Sequence, residues 1–167
     1  MVTPRAEMAT DLEIDLAGQL LRANFGSPGL SRSYPVSTAL NGAGERADSG
    51  CTPRGRHYIR AAIGAGLPAN TVFVGRRPTG ELYTPQLAAQ FPGRDWILSR
   101  ILWLCGLESG RNRGAGVDSF RRFIYIHGTP DSEPMGVPRS HGCVRMRNAD
   151  LIELFGLIAP GTRVLIK

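Results

Sequence analysis

Leu12, Ile14 and Leu16 alternate with Glu13 and Asp15, a period of two that predicts a half-buried strand. Ala17-Gly18-Gln19 then turns the chain into a second apolar run ending near Phe25, so the opening segment reads as a β-hairpin. Further short apolar runs, set off by glycine and proline, predict strands over 34–37, 57–63, 71–74 and 96–104. The run FIYI at 123–126 predicts a buried central strand that delivers His127 at its carboxyl end.

Two helices interrupt this pattern. A short one over 86–90 lies among Pro85, Pro92 and Gly93. A clearer one carries the stripe Leu151, Ile152, Leu154, Phe155 and Ile158, with Asn148 placed to cap its first turn and Pro160-Gly161 to end it; residues 162–166 read as a last strand. Residues 41–55, punctuated by Gly42, Gly44, Gly50 and a Thr52-Pro53-Arg54-Gly55 turn, predict one long irregular loop. Gly42-Ala43-Gly44 lacks the strand-then-helix context of a dinucleotide site and belongs to that loop. Many short strands with one or two short helices predict a mostly β fold, a β-sandwich or open barrel. We divide the chain into a lead-in over 1–11 and a single domain over 12–167, with 80–116 as a possible cap over the site.

At 167 residues the chain can bury one real core, and its 42% apolar and 20% charged composition is that of an ordinary soluble domain, with no apolar run long enough for a membrane span. The net charge of +6 is carried almost wholly by arginine, Lys167 being the only lysine. Arginine suits carboxylates as readily as phosphates, and no basic tail or basic helix accompanies it, so no nucleic-acid partner is inferred. The first twenty residues are interrupted by Glu7, Asp11, Glu13 and Asp15 and offer no apolar export core. The expectation is a cytoplasmic protein, or a periplasmic one if a signal peptide has been removed.

Cys51, Cys105 and Cys143 are far apart and odd in number, which demands no disulfide. Cys105, in ILWLCGL, reads as a small buried hydrophobe. Cys143 differs, because it ends a constrained loop. Fifteen residues separate it from His127, and Gly128, Pro130, Pro134, Gly136 and Pro138 among them shape a turn able to fold back and bring the two together. A thiol is only a few per cent ionised near neutrality, so a nucleophilic cysteine needs such a base. Gly142 frees the backbone to aim two successive N–H groups, its own and that of Cys143, at a developing oxyanion. Two other readings compete. Cys51, His57, His127, His141 and Cys143 are all zinc-ligand types, but no Cys-x-x-Cys or His-Glu-x-x-His spacing occurs and no metal is expected. Alternatively, His127 and Cys143 are packed residues without chemistry, and spacing alone leaves that open.

His127-Gly128-Thr129-Pro130, then Gly136, then Ser140-His141-Gly142-Cys143-Val144-Arg145-Met146 resembles the signature of the L,D-transpeptidase catalytic domain, the YkuD domain. Residues 34–38 and 52–55 are similar to that family too, so the resemblance spans Leu12 to Lys167. It implies that family's mostly β fold. It also implies a cysteine that attacks the carbonyl at the L-centre of diaminopimelate in a peptidoglycan tetrapeptide and expels D-alanine. An amine acceptor then gives a 3→3 cross-link, and water gives L,D-carboxypeptidase activity. By position, Cys143 is the nucleophile, His127 the general base and acid, and the backbone carbonyl of Gly128 the group that orients the imidazole. Ser140 and His141 fall in the substrate pocket, Ser140 supporting the loop and His141 shaping the pocket or merely packing. Arg145 either binds a substrate carboxylate or pins the catalytic loop. No cofactor is implied. The expected partners are a muropeptide or peptidoglycan stem, and a carbapenem as covalent inhibitor. Hydrolysis in cell-wall recycling is the leading expectation, the periplasmic transpeptidase the alternative, and a non-catalytic muropeptide-binding module the third.

Overall fold

A computed structural model describes residues 7–27 and 29–167. The expected hairpin forms from β1 (Asp11–Asp15) and β2 (Leu20–Asn24), in antiparallel register with Leu12 opposite Ala23 and Ile14 opposite Leu21. Asp15 Oδ1 accepts the Ala17 and Gly18 N–H groups and so closes the turn. The lead-in expected over 1–11 lies partly outside the described residues. From Ala9 onward it is already tied in, the Ala9 N–H donating to the Leu157 carbonyl at 2.7 Å.

The chain continues through β3 (Ser31–Ser37), β4 (Gly55–Ile63), β5 (Thr71–Val74), β6 (Arg77–Leu82), α1 (Pro85–Gln90), β7 (Ile97–Gly106), β8 (Tyr125–Thr129), β9 (Val144–Arg147), α2 (Asn148–Phe155) and β10 (Arg163–Ile166). The sheet order is β4-β10-β1-β2-β3-β9-β8-β7-β5-β6, and β4 also pairs with β7. That extra pairing closes a ring from β4 round to β7, with β5 and β6 as a hairpin beyond it. The mostly β expectation holds, and the barrel is closed rather than open, which leaves the ring without edges. One edge of β7 is shared: Ile97 and Leu98 meet β5, and Ile101 to Gly106 meet β4.

Alternation sends Leu12, Ile14, Leu21, Ala23, Val36, Ile126, Val144, Met146, Val164 and Ile166 into one apolar cluster, to which α2 adds Leu151 and Leu154. Thr84 caps α1, its Oγ1 accepting from the Leu87 N–H, with Pro85 at the first helical position.

Four expectations need correction. FIYI is not all strand: Phe123 sits outside β8 at φ 57 and is half exposed, so His127 lies in the middle of β8 and not at its end. The sequence after Cys143 does not pass directly to helix, because Val144–Arg147 pairs parallel with β8 and antiparallel with β3. Asn148 is the first helical residue, and Arg147 occupies the cap position without a side-chain bond. Within 80–116, Ile97–Gly106 is a largely buried strand with pairing on both edges and so cannot act as a cap. It instead backs the site from within the barrel wall, Leu98 pairing with Gly128 and Ile101 with His127, while its flank at Asp95 reaches His141 and Arg145.

Candidate active site

Parallel pairing of β8 with β9 sets His127 opposite Arg145 and Ile126 opposite Val144. Side chains alternate across a strand, so Ile126, Val144 and Met146 enter the core while Tyr125 and His127 share the other face with Arg145. Cys143, one residue before β9, continues that face and packs against Tyr125. The thiol and the imidazole therefore lie on the same face, on a diagonal across two neighbouring strands. The loop expected to bring them together is secondary to this register.

His127 is 1% exposed. Its Nδ1 lies 2.7 Å from the Gly128 carbonyl, and a carbonyl only accepts, so Nδ1 carries the proton and Nε2 keeps a free lone pair. Burial holds the imidazole pKa below its ordinary value, against the raising effect of the Gly128 carbonyl. The position of that carbonyl depends on glycine. A Cβ at residue 128 would stand 2.3 Å from Asn148 Oδ1 and 2.5 Å from the Leu98 carbonyl. Asn148 Oδ1 also accepts from Ser99 Oγ at 2.6 Å, and Asn148 Nδ2 donates to the Thr129 carbonyl at 2.9 Å. The first residue of α2 thus locks β8 to β7 behind the histidine.

Cys143 is half-buried. Its Sγ receives the Tyr125 N–H at 3.4 Å and faces the Phe123 carbonyl at 3.3 Å. Burial pushes the thiol up to about 11, with the Tyr125 N–H and the charges of Arg145 and Arg122 pulling the other way. The resting pair near neutrality is accordingly a neutral thiol and a neutral imidazole. Such a pair reacts by transferring the proton as the sulfur attacks, not from a preformed thiolate.

The loop before Cys143 is braced from inside. Ser140 is 2% exposed, its Oγ donating to the Cys143 carbonyl at 2.5 Å and accepting from the Gly142 N–H at 3.2 Å. Ser140 is thus a loop support, not a group facing a substrate. The Gly142 N–H expected at an oxyanion is spent on that hydroxyl. Gly142 itself adopts φ +135, which only glycine holds comfortably, and its carbonyl accepts from the buried Thr52 Oγ1 at 2.9 Å. Arg145 directs its guanidinium to Asp95 at 3.1 Å and toward Glu133 at 3.9 Å, the arrangement of an arginine pinning loops together. The His141 side chain is 79% exposed and stands 3.6 Å from the other Asp95 oxygen, so it is not a packing residue.

Sequence reasoning missed Asp95, Tyr125, Phe123 and Thr52. None has a local signal for its role: Tyr125 takes it from its place on β8, and Asp95, Phe123 and Thr52 take theirs from loop contacts with residues distant in sequence. Arg122, whose Nη2 donates to the Cys51 carbonyl at 2.7 Å, belongs to the same group. Cys51 Sγ faces the Asn41 and Ser49 carbonyls, and His57 is buried against the Gly55 carbonyl and Ser119 Oγ.

A family model described as the YkuD L,D-transpeptidase catalytic domain matches residues 9–166. The chain belongs to that family. Among curated relatives, it is 32% identical over 107 residues to the Escherichia coli (strain K12) protein named Probable L,D-transpeptidase YbiS, a match covering 61% of this chain and 33% of that one. The chain thus spans at most about a third of the curated relatives it matches. Its fold is shared with an L,D-transpeptidase from Xylanimonas cellulosilytica, at a TM-score of 0.51 and 24% identity over 99% of this chain and 63% of that one. It is shared too with L,D-transpeptidase 3 from Mycobacterium tuberculosis, solved with a faropenem-derived adduct, at a TM-score of 0.56 and 14% identity over 95% of this chain and 60% of that one.

Proposed function

We propose that this L,D-transpeptidase-family domain transfers an acyl group from peptidoglycan tetrapeptide stems through a thioester on Cys143. The observation that carries the reading is the placement of Cys143 and His127 on one face of adjacent strands, with the imidazole Nδ1 committed to the Gly128 carbonyl and Nε2 unprotonated. In the attack, His127 Nε2 takes the thiol proton as sulfur bonds to the carbonyl carbon at the L-centre of diaminopimelate. Collapse breaks the C–N bond, and the same proton leaves on the amine of D-alanine.

Water is the acceptor in the leading form of the proposal, which makes the protein an L,D-carboxypeptidase. The exposed His141 beside Asp95 supports it, since that polar pair keeps a hydrated edge next to the nucleophile. Cross-linking to an amine is the second form, favoured by the family name and by the relatives called L,D-transpeptidases. Disaccharide-tetrapeptide incubated with the protein should yield free D-alanine and tripeptide. A cross-linked dimer without tripeptide would replace the first form by the second.

Relatives of this fold have been solved with faropenem-derived and imipenem ligands. A carbapenem should accordingly add covalently at Cys143, read by peptide mass mapping, and Cys143→Ala should abolish both adduct and turnover while keeping the unfolding midpoint. An intact protein that binds muropeptide but forms no adduct and releases no D-alanine would be a binding module instead.

A further inference from the structure

A carboxylate arriving beside a half-buried thiol needs a cation that is not already neutralised. Arg145 does not meet that need, with Asp95 and Glu133 of its own chain at its guanidinium. Arg76, in the turn between β5 and β6, does. Its guanidinium carbon lies 4.8 Å from the Trp103 ring centroid and 4.9 Å from that of Phe123, and its Nη1 donates to the Tyr125 hydroxyl at 3.1 Å. No ion pair among the described residues includes it.

Phe123 and Tyr125 are also the two residues whose backbone groups hold Cys143 Sγ. The thiol and the guanidinium are therefore fixed to the same short segment, one by its main chain and the other by its rings. Phe123 takes φ +57, a backbone conformation costly for an aromatic residue, and in it the carbonyl meets the sulfur while the ring covers Arg76. Aromatic rings orient the guanidinium, the tyrosine hydroxyl takes one of its five N–H groups, and the remaining N–H groups suit the two oxygens of a carboxylate.

We propose that Arg76 is a specificity-determining residue that binds a carboxylate of the acyl donor while Cys143 attacks its carbonyl. This rests on Cys143 being the nucleophile in the reading above, though not on the donor being peptidoglycan.

The test compares alkylation of Cys143 by 6-maleimidohexanoic acid and by its neutral amide, read at the Cys143 peptide by mass spectrometry. Arg76→Gln should lower the acid-to-amide rate ratio by about fivefold or more, the neutral reagent being little affected, as expected for loss of a charge-assisted contact. Arg76→Lys, which keeps the charge without the fork, should fall between, and Arg121→Gln, a neighbouring exposed charge, should leave the ratio unchanged. An unchanged ratio in Arg76→Gln, an equal fall in Arg121→Gln, or a Cys143 inert to both reagents overturns the proposal. With tetrapeptide as donor, Arg76→Gln should raise KM about tenfold with kcat nearly kept. If the native protein leaves tetrapeptide untouched while the reagent ratio still depends on Arg76, the peptidoglycan reading fails and the carboxylate site stands.

Discussion

Gly128 supports the proposed catalytic pair, Cys143 and His127, although it contributes no side chain. Its carbonyl fixes the imidazole tautomer, and the space where a Cβ would stand is filled by Asn148 Oδ1 and the Leu98 carbonyl. Gly128→Ala should therefore cost more than about 2 kcal/mol in chemical denaturation, since backbone and a bonded amide must both move. A substitution cost within about 0.5 kcal/mol would contradict this packing. At Cys143 the raised thiol sets a pH signature. Neutral iodoacetamide should react with it about tenfold faster per pH unit, because the thiolate is the nucleophile, and level off only near the pKa of about 11. A plateau near pH 8 to 9 would mean an ordinary thiol. Cys143 and His127 were both legible as candidates from the sequence, through their glycine and proline setting and the surrounding motif. Arg145 was legible as an arginine that either binds a substrate carboxylate or pins the catalytic loop, without its partners. Its carboxylate partners, Asp95 and Glu133, come from separate loops that only the folded chain brings to it.

At the scale of elements, the junction of β9 and α2 organises the back of the site. Asn148 ties the first turn of α2 to Ser99 on β7 and to the Thr129 carbonyl at the end of β8. Ser99 is itself held at φ 70 within an irregular stretch of β7, so the tie secures a bulge as well as two strands. Asn148→Ala should destabilise the fold by about 1–3 kcal/mol, the cost of leaving buried partners unsatisfied, and should reduce turnover more than Asn148→Asp does if orientation of His127 passes through this contact. Equal activity of both variants and the native protein would detach Asn148 from the site. The β9 signal was present in the sequence, because Val144-Arg145-Met146-Arg147 alternates with a period of two, but a four-residue run running straight into an apolar helical stripe hides its own boundary. The β6 strand had no such signal, since Arg77–Leu82 contains Pro78 and Gly80 and buries none of its residues fully.

The whole molecule adds a dependence on pH that no single element shows. His57 and His127 are both buried, and burial lowers both of their pKa values, so the folded chain keeps them neutral where the unfolded chain would protonate them. The unfolded state thus binds more protons on acidification; the stability these residues contribute is complete above the ordinary histidine value of about 6.5 and is lost as pH falls below it. The urea midpoint should decline between about pH 7 and about pH 5, and a flat midpoint across that window would contradict buried neutral imidazoles. The sequence by itself determined the strand-rich character, the opening hairpin, the second helix and the identity of the thiol and imidazole, because these follow from local periodicity, turn chemistry and a contiguous motif. Only the tertiary structure decided that β4 meets β7 to close the ring, that His127 and Cys143 share a face through strand register, and that Arg145 is already paired while Arg76 faces the rings beside the thiol. Those facts depend on contacts between residues distant in sequence, where register and burial, not local propensity, set which side chains share a face.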